Sequence, residues 1–479
     1  MIRKPIFLLL TMMVSIERSI SFASDIAVEN EDGVTIYYNY YNGGKELEVT
    51  SKGWDELSRG YEGIEILRIP TEVTYMGRTR KVTSIAKNTF RNVVDDSTPH
   101  DTKSCTISMY VIPPSITHIG EYAFWNTYLK GIVISDIGKF CHFSFGVQLN
   151  MKKYIHGNGY SLFSDLNTPI TNIVIPDTVQ SISEYAFAYC KGIKSITIPG
   201  SVTSIGEHAF EKCECTEVTL DYGVKSIGHS AFEGSTLTSI TIPNSVTDIS
   251  RAFRSCKGLT SVTIPNSVTD ISGTFSGCTG LTSVVIPNSV TDIADAFSGC
   301  TGLSSVVIPN SVTTIGSSAF WRCTGLTSVT IPNSVTAIRE MAFSGCSGLK
   351  SLIIGYWVTE IHSGAFSGDD NLLEIFALPL NPPTFYEHSY ESNEGFSKNT
   401  FYNATLHVPT GSINRYKTAS IWKDFVWIEE MDMTKINNIG ESSGNQETYC
   451  LDGRRTSCLQ KGINIIKKHD GTTKKVLGR

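Results

Sequence analysis

Residues 279–300 read TGLTSVVIPNSVTDIADAFSGC, and residues 301–320 read TGLSSVVIPNSVTTIGSSAF. The second phrase copies the first, head to tail, at a spacing of about 22 residues. A repeat of this length indicates a solenoid, because a single copy cannot bury its own apolar side and depends on the next copy to cover it.

The spacing inside one copy predicts a short strand followed by turns. Val284 and Ile286 alternate with Ser283 and Val285, as in a half-buried strand. Pro287 ends the pairing because it has no N–H to donate to a ladder. A helix of period 3.6 fits none of this spacing.

Stacked copies place equivalent residues in columns, so the strands are expected to pair in parallel about 4.8 Å apart. One aromatic ring per copy marks the centre of the predicted core, at Phe187, Phe210, Phe232, Phe253, Phe275, Phe297, Phe320, Phe343 and Phe366. The proline that ends the strand recurs at Pro176, Pro199, Pro243, Pro265, Pro287, Pro309 and Pro332.

The repeated phrases IPNSVT and AFSGC, in the pattern LxSVxIPxSVTxIGxxAFxxC, resemble the BspA-like leucine-rich repeats of bacterial surface proteins. The resemblance covers residues 82–378. It implies a mainly β fold, a right-handed leucine-rich-repeat solenoid with parallel strands, and a role in adhesion or protein binding. The asparagine of shorter leucine-rich repeats is not in its usual place here.

The composition limits the classes of function. The chain has 479 residues and a formal net charge of −6 at pH 7. This length suits a linear array better than one globule. No basic stripe appears, so nucleic acid is not expected as a partner. Outside the N-terminus the apolar runs are too short to cross a membrane.

The first residues read as a secretory signal. Arg3 and Lys4 precede an apolar run, and Ala23 and Ser24 supply small residues for cleavage. We therefore expect a secreted or cell-surface protein, and the resemblance of the tail described below implies a Gram-negative bacterium. The predicted segments are a signal peptide at 1–24, a β cap at 25–81, the repeats at 82–378, a C-terminal cap at 379–431, a linker at 432–445 and a β tail at 446–479.

Three irregular regions interrupt or flank the repeats. Residues 34–41 and 46–50 are expected to form a hairpin around an Asn-Gly-Gly turn. Residues 138–163 contain crowded phenylalanines and no IP phrase, which predicts an irregular coil or loop. In the C-terminal cap, Ser412 is expected to cap a helix with the apolar face Tyr416, Ile421, Trp422 and Phe425.

The tail at 446–479 reads as three short strands with Asp-Gly turns. Its Gly-Arg-Arg, Lys-Gly-Ile and Lys-Lys-Val-Leu pieces resemble the C-terminal sorting domains of type IX (Por-type) secretion substrates. That resemblance implies secretion machinery as a partner. A small β module of other purpose is the alternative.

Seven cysteines follow the ring by three residues: Cys190, Cys213, Cys256, Cys278, Cys300, Cys323 and Cys346. We interpret them as buried free thiols, because their side chains would point inward and not toward each other. Cys450 and Cys458 in the tail could pair, and the sequence leaves this open. No Cys or His cluster has zinc spacing.

An acidic column falls at Asp248, Asp270 and Asp292, each before an isoleucine. Carboxylates about 5 Å apart repel by about 1 kcal/mol per pair in water. Calcium could relieve this repulsion. The alternative is a solvated edge, since copying a repeat places any residue in a column. The alternative has the better support, and no cofactor is expected.

The outward strand face is the candidate ligand platform. Its hydroxyl-bearing positions include Ser261, Thr263, Ser283, Ser305, Ser328 and Thr330. The concave faces of solenoids serve as binding surfaces. An ordinary solvated sheet would also favour Ser and Thr. Because this face lacks aromatic anchors, tight contacts are expected at Trp321, Tyr356 and Trp357 instead.

Enzyme motifs are absent. The histidines are scattered, and there is no phosphate loop and no GxSxG. We therefore expect no catalysis, and the resemblance of the repeats implies an adhesion or protein-binding module for an extracellular or host protein. A glycan-binding accessory protein and a structural surface-layer spacer are the alternatives.

Overall fold

The computed structural model describes residues 24–52, 61, 63–90, 107–120, 122–124, 127, 129–143, 159–386 and 395–431, together with four strands in the tail. It is a mainly β, parallel-strand solenoid. The chain divides into two compact units, residues 1–170 with 184–186, and residues 171–183 with 187–479. The predicted signal peptide lies outside the described residues except for Ser24.

The first unit begins with antiparallel strands and continues with parallel ones. Thr35–Tyr41 pairs antiparallel with Glu46–Thr50 around Asn42–Gly44, a 3-10 turn, so the predicted hairpin is present. Glu46–Thr50 then pairs in parallel with Arg78–Ile85. The strands are Ile26–Glu29, Thr35–Tyr41, Glu46–Thr50, Ile66–Arg68, Glu72–Tyr75, Arg78–Ile85, Met109–Ile112, His118–Ile119, Gly131–Ile134, Tyr160–Asp165 and Thr168–Pro169.

Both described ends of the stretch at 138–163 belong to regular elements. Asp136 caps the short helix Ile137–Phe140, accepting a hydrogen bond from the backbone N–H of Lys139. Tyr160–Asp165 pairs in parallel with Gly131–Ile134. The stretch therefore ends in an ordinary coil strand, because Tyr160 and Leu162 are buried as the Val and Ile of other copies are. Residues 144–158 lie outside the described part.

In the second unit, every main-face strand pairs in parallel with its neighbour in the sheet. One sheet has the order Asn172–Val174, Ser195–Ile198, Glu217–Leu220, Ser239–Thr241, Ser261–Thr263, Ser283–Val285 and Ser305–Val307. Another has the order Ser328–Thr330, Ser351–Ile354, Glu374–Ala377, Thr405–Pro409 and Trp427–Met431.

Two shorter sheets form the second wall of these coils. The first is Ser181–Ile182, Ser204–Ile205 and Ser226–Ile227, and the other is Thr314–Ile315, Ala337–Ile338, Glu360–His362 and Thr384–Tyr386. The short strand Cys190–Lys191 completes the strands of this unit before the tail.

The ring column holds the coils together. From Phe187 to Phe366, neighbouring rings stack with centroids 5.1 to 6.0 Å apart and planes within 12°. All of them are fully buried. Each ring sits between two left-handed residues, for example Asp295 (φ 53°) and Gly299 (φ 73°) around Phe297. These two bends per coil turn the chain back toward the next strand.

The C-terminal cap contains helices Lys398–Asn403 and Ile413–Thr418 and the 3-10 turn Trp422–Asp424. The predicted apolar residues Tyr416, Ile421, Trp422 and Phe425 are all buried. The capping prediction for Ser412 is wrong: its hydroxyl makes no cap bond to the helix and donates to the carbonyl of Pro409 at 2.6 Å. Its backbone is helical and not extended, which turns the hydroxyl back toward the preceding strand.

The tail forms four strands in two antiparallel pairs, not the three strands expected. Thr448–Tyr449 pairs with Arg455–Thr456, and Gly462–Lys467 pairs with Thr473–Gly478. The difference arises because the first predicted strand is itself a hairpin. The Asp-Gly turns and the cysteines Cys450 and Cys458 lie outside the described residues.

Candidate functional site

The outward strand face of the second unit arranges the predicted hydroxyls in rows. Strand register places Ser283 beside Ser305 and Ser328 beside Ser351. Ser261 pairs with Ser239 in the same way. No hydrogen bond to another described group involves the hydroxyls of the six predicted residues, Ser261, Thr263, Ser283, Ser305, Ser328 and Thr330. They are therefore available to solvent or to a ligand.

We call these six residues the hydroxyl section, and they do not form one continuous surface. Val285 and Val307 occupy the row that contains Thr263, where they replace a hydroxyl residue, and Val285 is 75% exposed. The hydrogen-bonded ladder also stops between Ser305–Val307 and Ser328–Thr330, which belong to different sheets. Four of the predicted residues thus share one ladder, and Ser328 and Thr330 start the next.

The three predicted aromatic anchors do not lie on these rows. Trp321 follows the ring Phe320 at a corner and is half-buried, with the guanidinium of Arg322 over its ring at 4.3 Å. Tyr356 and Trp357 lie in the turn after strand Ser351–Ile354, where Trp357 is 67% exposed. Trp357 and Tyr356 thus form a separate exposed aromatic pair.

Sequence reasoning missed the far end of the strand face. On the sheet that starts at Ser328–Thr330, one outward row runs Thr330, Ile353, Phe376, His407 and Glu429. The parallel row runs Ser328, Ser351, Glu374, Thr405 and Trp427. We call these outward residues on the last four strands, from Ser351–Ile354 to Trp427–Met431, the C-terminal section.

The C-terminal section combines aromatic and acidic groups. The rings of Phe376 and His407 stack with centroids 4.6 Å apart, and Nε2 of His407 lies 2.6 Å from Oε2 of Glu374. Trp427 is 58% exposed on the last strand. Ile353, Leu378 and Met431 form a small buried cluster against Phe376. Aromatic rings on a firm apolar base are the usual anchors of protein interfaces.

A pattern of outward residues could have indicated this section. The strand Thr405–Pro409 is recognisable from its alternation, and Trp427 begins an alternating segment. What the sequence does not give is the pairing that brings Phe376, His407 and Trp427 to one face, because no repeated phrase sets the register there.

The acidic column has a local structural explanation. Ile293 lies four positions before Phe297, whereas Ile315 lies five positions before Phe320. Among the coils with rings from Phe187 to Phe366, the shorter spacing occurs where Asp precedes Ile, at Asp248, Asp270 and Asp292. In each, Oδ1 accepts the backbone N–H two residues on, at 3.0, 2.7 and 2.9 Å.

This aspartate turn closes a corner that is one residue shorter. The second wall is less regular at these corners, because isolated bridges and not paired strands join Ser226 to Asp248 and Asp270 to Asp292. Among the described residues, no group of three or more His, Cys, Asp or Glu side chains could hold a metal ion. The calcium hypothesis thus gains no support from the geometry and stays untested.

The cysteine column consists of buried free thiols, as predicted. Each Sγ from Cys256 to Cys346 donates to the carbonyl of the ring residue one coil earlier, at 3.0 to 3.1 Å. Burial raises the pKa of Cys300 to about 12, so this thiol keeps its proton. The column is therefore a hydrogen-bonded part of the core.

Comparison with known proteins identifies the repeat. A family model described as BspA type Leucine rich repeat region matches residues 71–155, 158–274 and 271–397, in 6 copies. No curated protein matches the chain significantly. Within the described residues, no helix has the length and apolar character needed to cross a membrane.

Several solved structures are similar to this chain. A leucine-rich repeat protein from Bacteroides ovatus ATCC 8483 is 23% identical, with a TM-score of 0.54 over 85% of this chain and 100% of that chain. A leucine rich cell surface protein from Faecalibacterium prausnitzii A2-165 is 26% identical, with a TM-score of 0.48 over 74% and 95% of the two chains. For the pneumococcal vaccine antigen PcpA the values are 19%, 0.49, 86% and 98%.

Proposed function

Because the chain belongs to the BspA-type leucine-rich repeat family, we propose that it is a secreted or cell-surface bacterial protein that binds other proteins. The signal-like N-terminus supports export, and the tail resembling a type IX sorting domain supports secretion machinery as a second partner. The protein performs no catalysis in this proposal.

The observation that carries the proposal is the outward strand face. Its hydroxyl section is a rigid, uncharged surface, and its C-terminal section adds Trp427, Phe376 and His407. Hot spots in interfaces are enriched in exposed aromatic groups set on buried apolar ones. We assign the anchoring contacts to the C-terminal section, and shape complementarity to the hydroxyl section.

The charges of the C-terminal section favour a basic partner surface. The side chain of Glu374 is 50% exposed even though it bonds His407. Glu429 is exposed on the last strand, in the same row as His407. A lysine or arginine of the partner could lie over the ring of Trp427 and reach these carboxylates, an arrangement worth about 0.5–1 kcal/mol at an exposed site.

The test is binding of the full chain to extracellular-matrix proteins, measured by biolayer interferometry. Trp427→Ala is expected to weaken binding about thirtyfold, the effect of losing a hot spot of about 2 kcal/mol. Tyr222→Ala is the matched control, since Tyr222 is exposed but lies in a turn away from the rows. An equal loss in both variants would contradict the assignment, and no saturable binding at all would favour the structural spacer.

A glycan-binding accessory role is the second candidate, favoured by the exposed pair Tyr356 and Trp357. Aromatic faces of this kind suit the apolar faces of sugars. Saturable binding on a polysaccharide array, abolished by Trp357→Ala and kept by Trp427→Ala, would select this role over protein adhesion.

A further inference from the structure

The cysteine column ends in a residue of different chemistry. The position three residues after the ring holds Cys in most coils, Ser235 after Phe232, and Asp369 after Phe366. Thiols in this position donate to a carbonyl of the preceding coil, as Cys346 does to Phe320 at 3.1 Å. The next carbonyl in that series is that of Phe343, and the residue in place to serve it is Asp369.

Asp369 is enclosed by the protein. It is fully buried, and among the described residues no other Asp, Glu, Lys or Arg is. Neither carboxyl oxygen accepts a hydrogen bond from a described group. An ionised carboxylate in this place would be a buried charge without a partner, which is among the most unfavourable arrangements in a protein.

We propose that Asp369 is a proton-binding site. In the folded chain its carboxyl is neutral and donates its O–H to the carbonyl of Phe343, replacing the S–H of the cysteine column. The chain takes up this proton from solvent when the C-terminal end of the repeats folds, because the unfolded side chain is ionised at neutral pH.

The surrounding groups agree with a neutral carboxyl. Burial raises the pKa of Asp369 well above its usual value, and the charge of Asp370 acts in the same direction. The backbone amide of Cys346 acts in the opposite direction on this pKa, although its N–H already donates to the carbonyl of Phe343. From helix Lys398–Asn403 the facing group is the neutral Thr400, whose hydroxyl donates to the backbone carbonyl of Asp369 at 3.0 Å.

The site lies where the last coils are joined. Thr400 ties Asp369 to helix Lys398–Asn403, and the carbonyl of Phe401 accepts the N–H of Val426, which leads into strand Trp427–Met431. Ionisation of Asp369 would therefore loosen this end of the chain first.

The sign of the pH dependence follows from the raised pKa of Asp369 in the folded state. The full stabilisation is present below the unfolded pKa of about 3.9 and is lost as pH rises toward the folded value. One proton is involved, so each pH unit in that window lowers the folding equilibrium constant about tenfold through this group.

Urea unfolding of the full chain between pH 5 and 7 tests this, with Asp369→Asn as the neutral isostere. The ratio of folding constants, variant over wild type, is expected to rise about tenfold per pH unit. Asp177→Asn is the matched control, since Asp177 is exposed in the turn after strand Asn172–Val174, and its ratio should stay flat. A flat ratio for Asp369→Asn would overturn the proposal.

A second measurement does not depend on whether a variant folds. Infrared spectra of the wild-type chain at pH 7 should contain the C=O stretch of one protonated carboxyl, when the exposed acids are ionised. The band should vanish in Asp369→Asn and in Asp369→Cys, which restores the usual residue of the column. Absence of the band at pH 7 in the wild type would refute a neutral Asp369.

Discussion

The middle coils and the last coils of the second unit share their interior and differ in their outer face. Inward positions of the strands remain apolar throughout, as at Val284 in the middle and Ile375 near the end. Outward positions change from Ser283 and Val285 to Glu374 and Phe376. Each inward residue must pack against the equivalent residues of the coils before and after it, whereas the choice of an outward residue is limited only by solvent or by a partner. Function is therefore best sought where the outer face departs from the repeat.

The largest expected effect contrasts two phenylalanines. Phe297→Ala removes a fully buried ring from the column and should lower the free energy of unfolding by about 3–5 kcal/mol. Phe376→Ala removes a half-buried ring from the outer face and should lower it by less than half as much. Urea unfolding of both variants measures this, and equal losses would mean that the two faces are not energetically distinct.

The cysteine column offers a smaller and more chemical contrast. Cys300→Ala removes the donor to the carbonyl of Phe275 and a buried sulfur, so we expect a loss of about 1–2 kcal/mol. Cys300→Ser keeps a donor of similar size, and the same column already contains a serine, Ser235. The serine variant should lose less. A larger loss of stability in Cys300→Ser than in Cys300→Ala would show that apolar packing at this position matters more than its hydrogen bond.

The short corners give the third contrast. Asp270→Ala deletes the acceptor for the N–H of Ser272 and should destabilise the chain by about 1 kcal/mol, whereas Asp270→Asn keeps an acceptor and should change little. Thermal unfolding with and without millimolar calcium separates this explanation from a metal site. A rise in melting temperature with calcium, lost in Asp270→Asn, would restore the calcium hypothesis.

Much of the interior could be predicted because the same pattern of apolar residues recurs in copy after copy. The ring column and the buried thiols follow from period and burial alone. The link between Asp and corner length was also present in the sequence, but it becomes visible only when Oδ1 is seen to bond the N–H two residues on.

The C-terminal section could not be predicted in the same way. Its register depends on pairings between strands that share no phrase, such as Phe376 with His407 and Thr405 with Trp427. Ser412 lacks the predicted cap bond because its backbone is helical and its hydroxyl donates to the carbonyl of Pro409, which local propensity does not describe.

The smallest expected effect concerns the hydroxyl section. Ser283 is exposed and its hydroxyl bonds no described group, so Ser283→Ala should change the free energy of unfolding by no more than about 0.5 kcal/mol. If the C-terminal section supplies the anchors, this variant should also bind the partner of the wild-type chain with nearly unchanged affinity. A loss of binding in Ser283→Ala without one in Trp427→Ala would reverse the order of the two sections, because it would place the contact on the repeated hydroxyls and leave the divergent end as a cap.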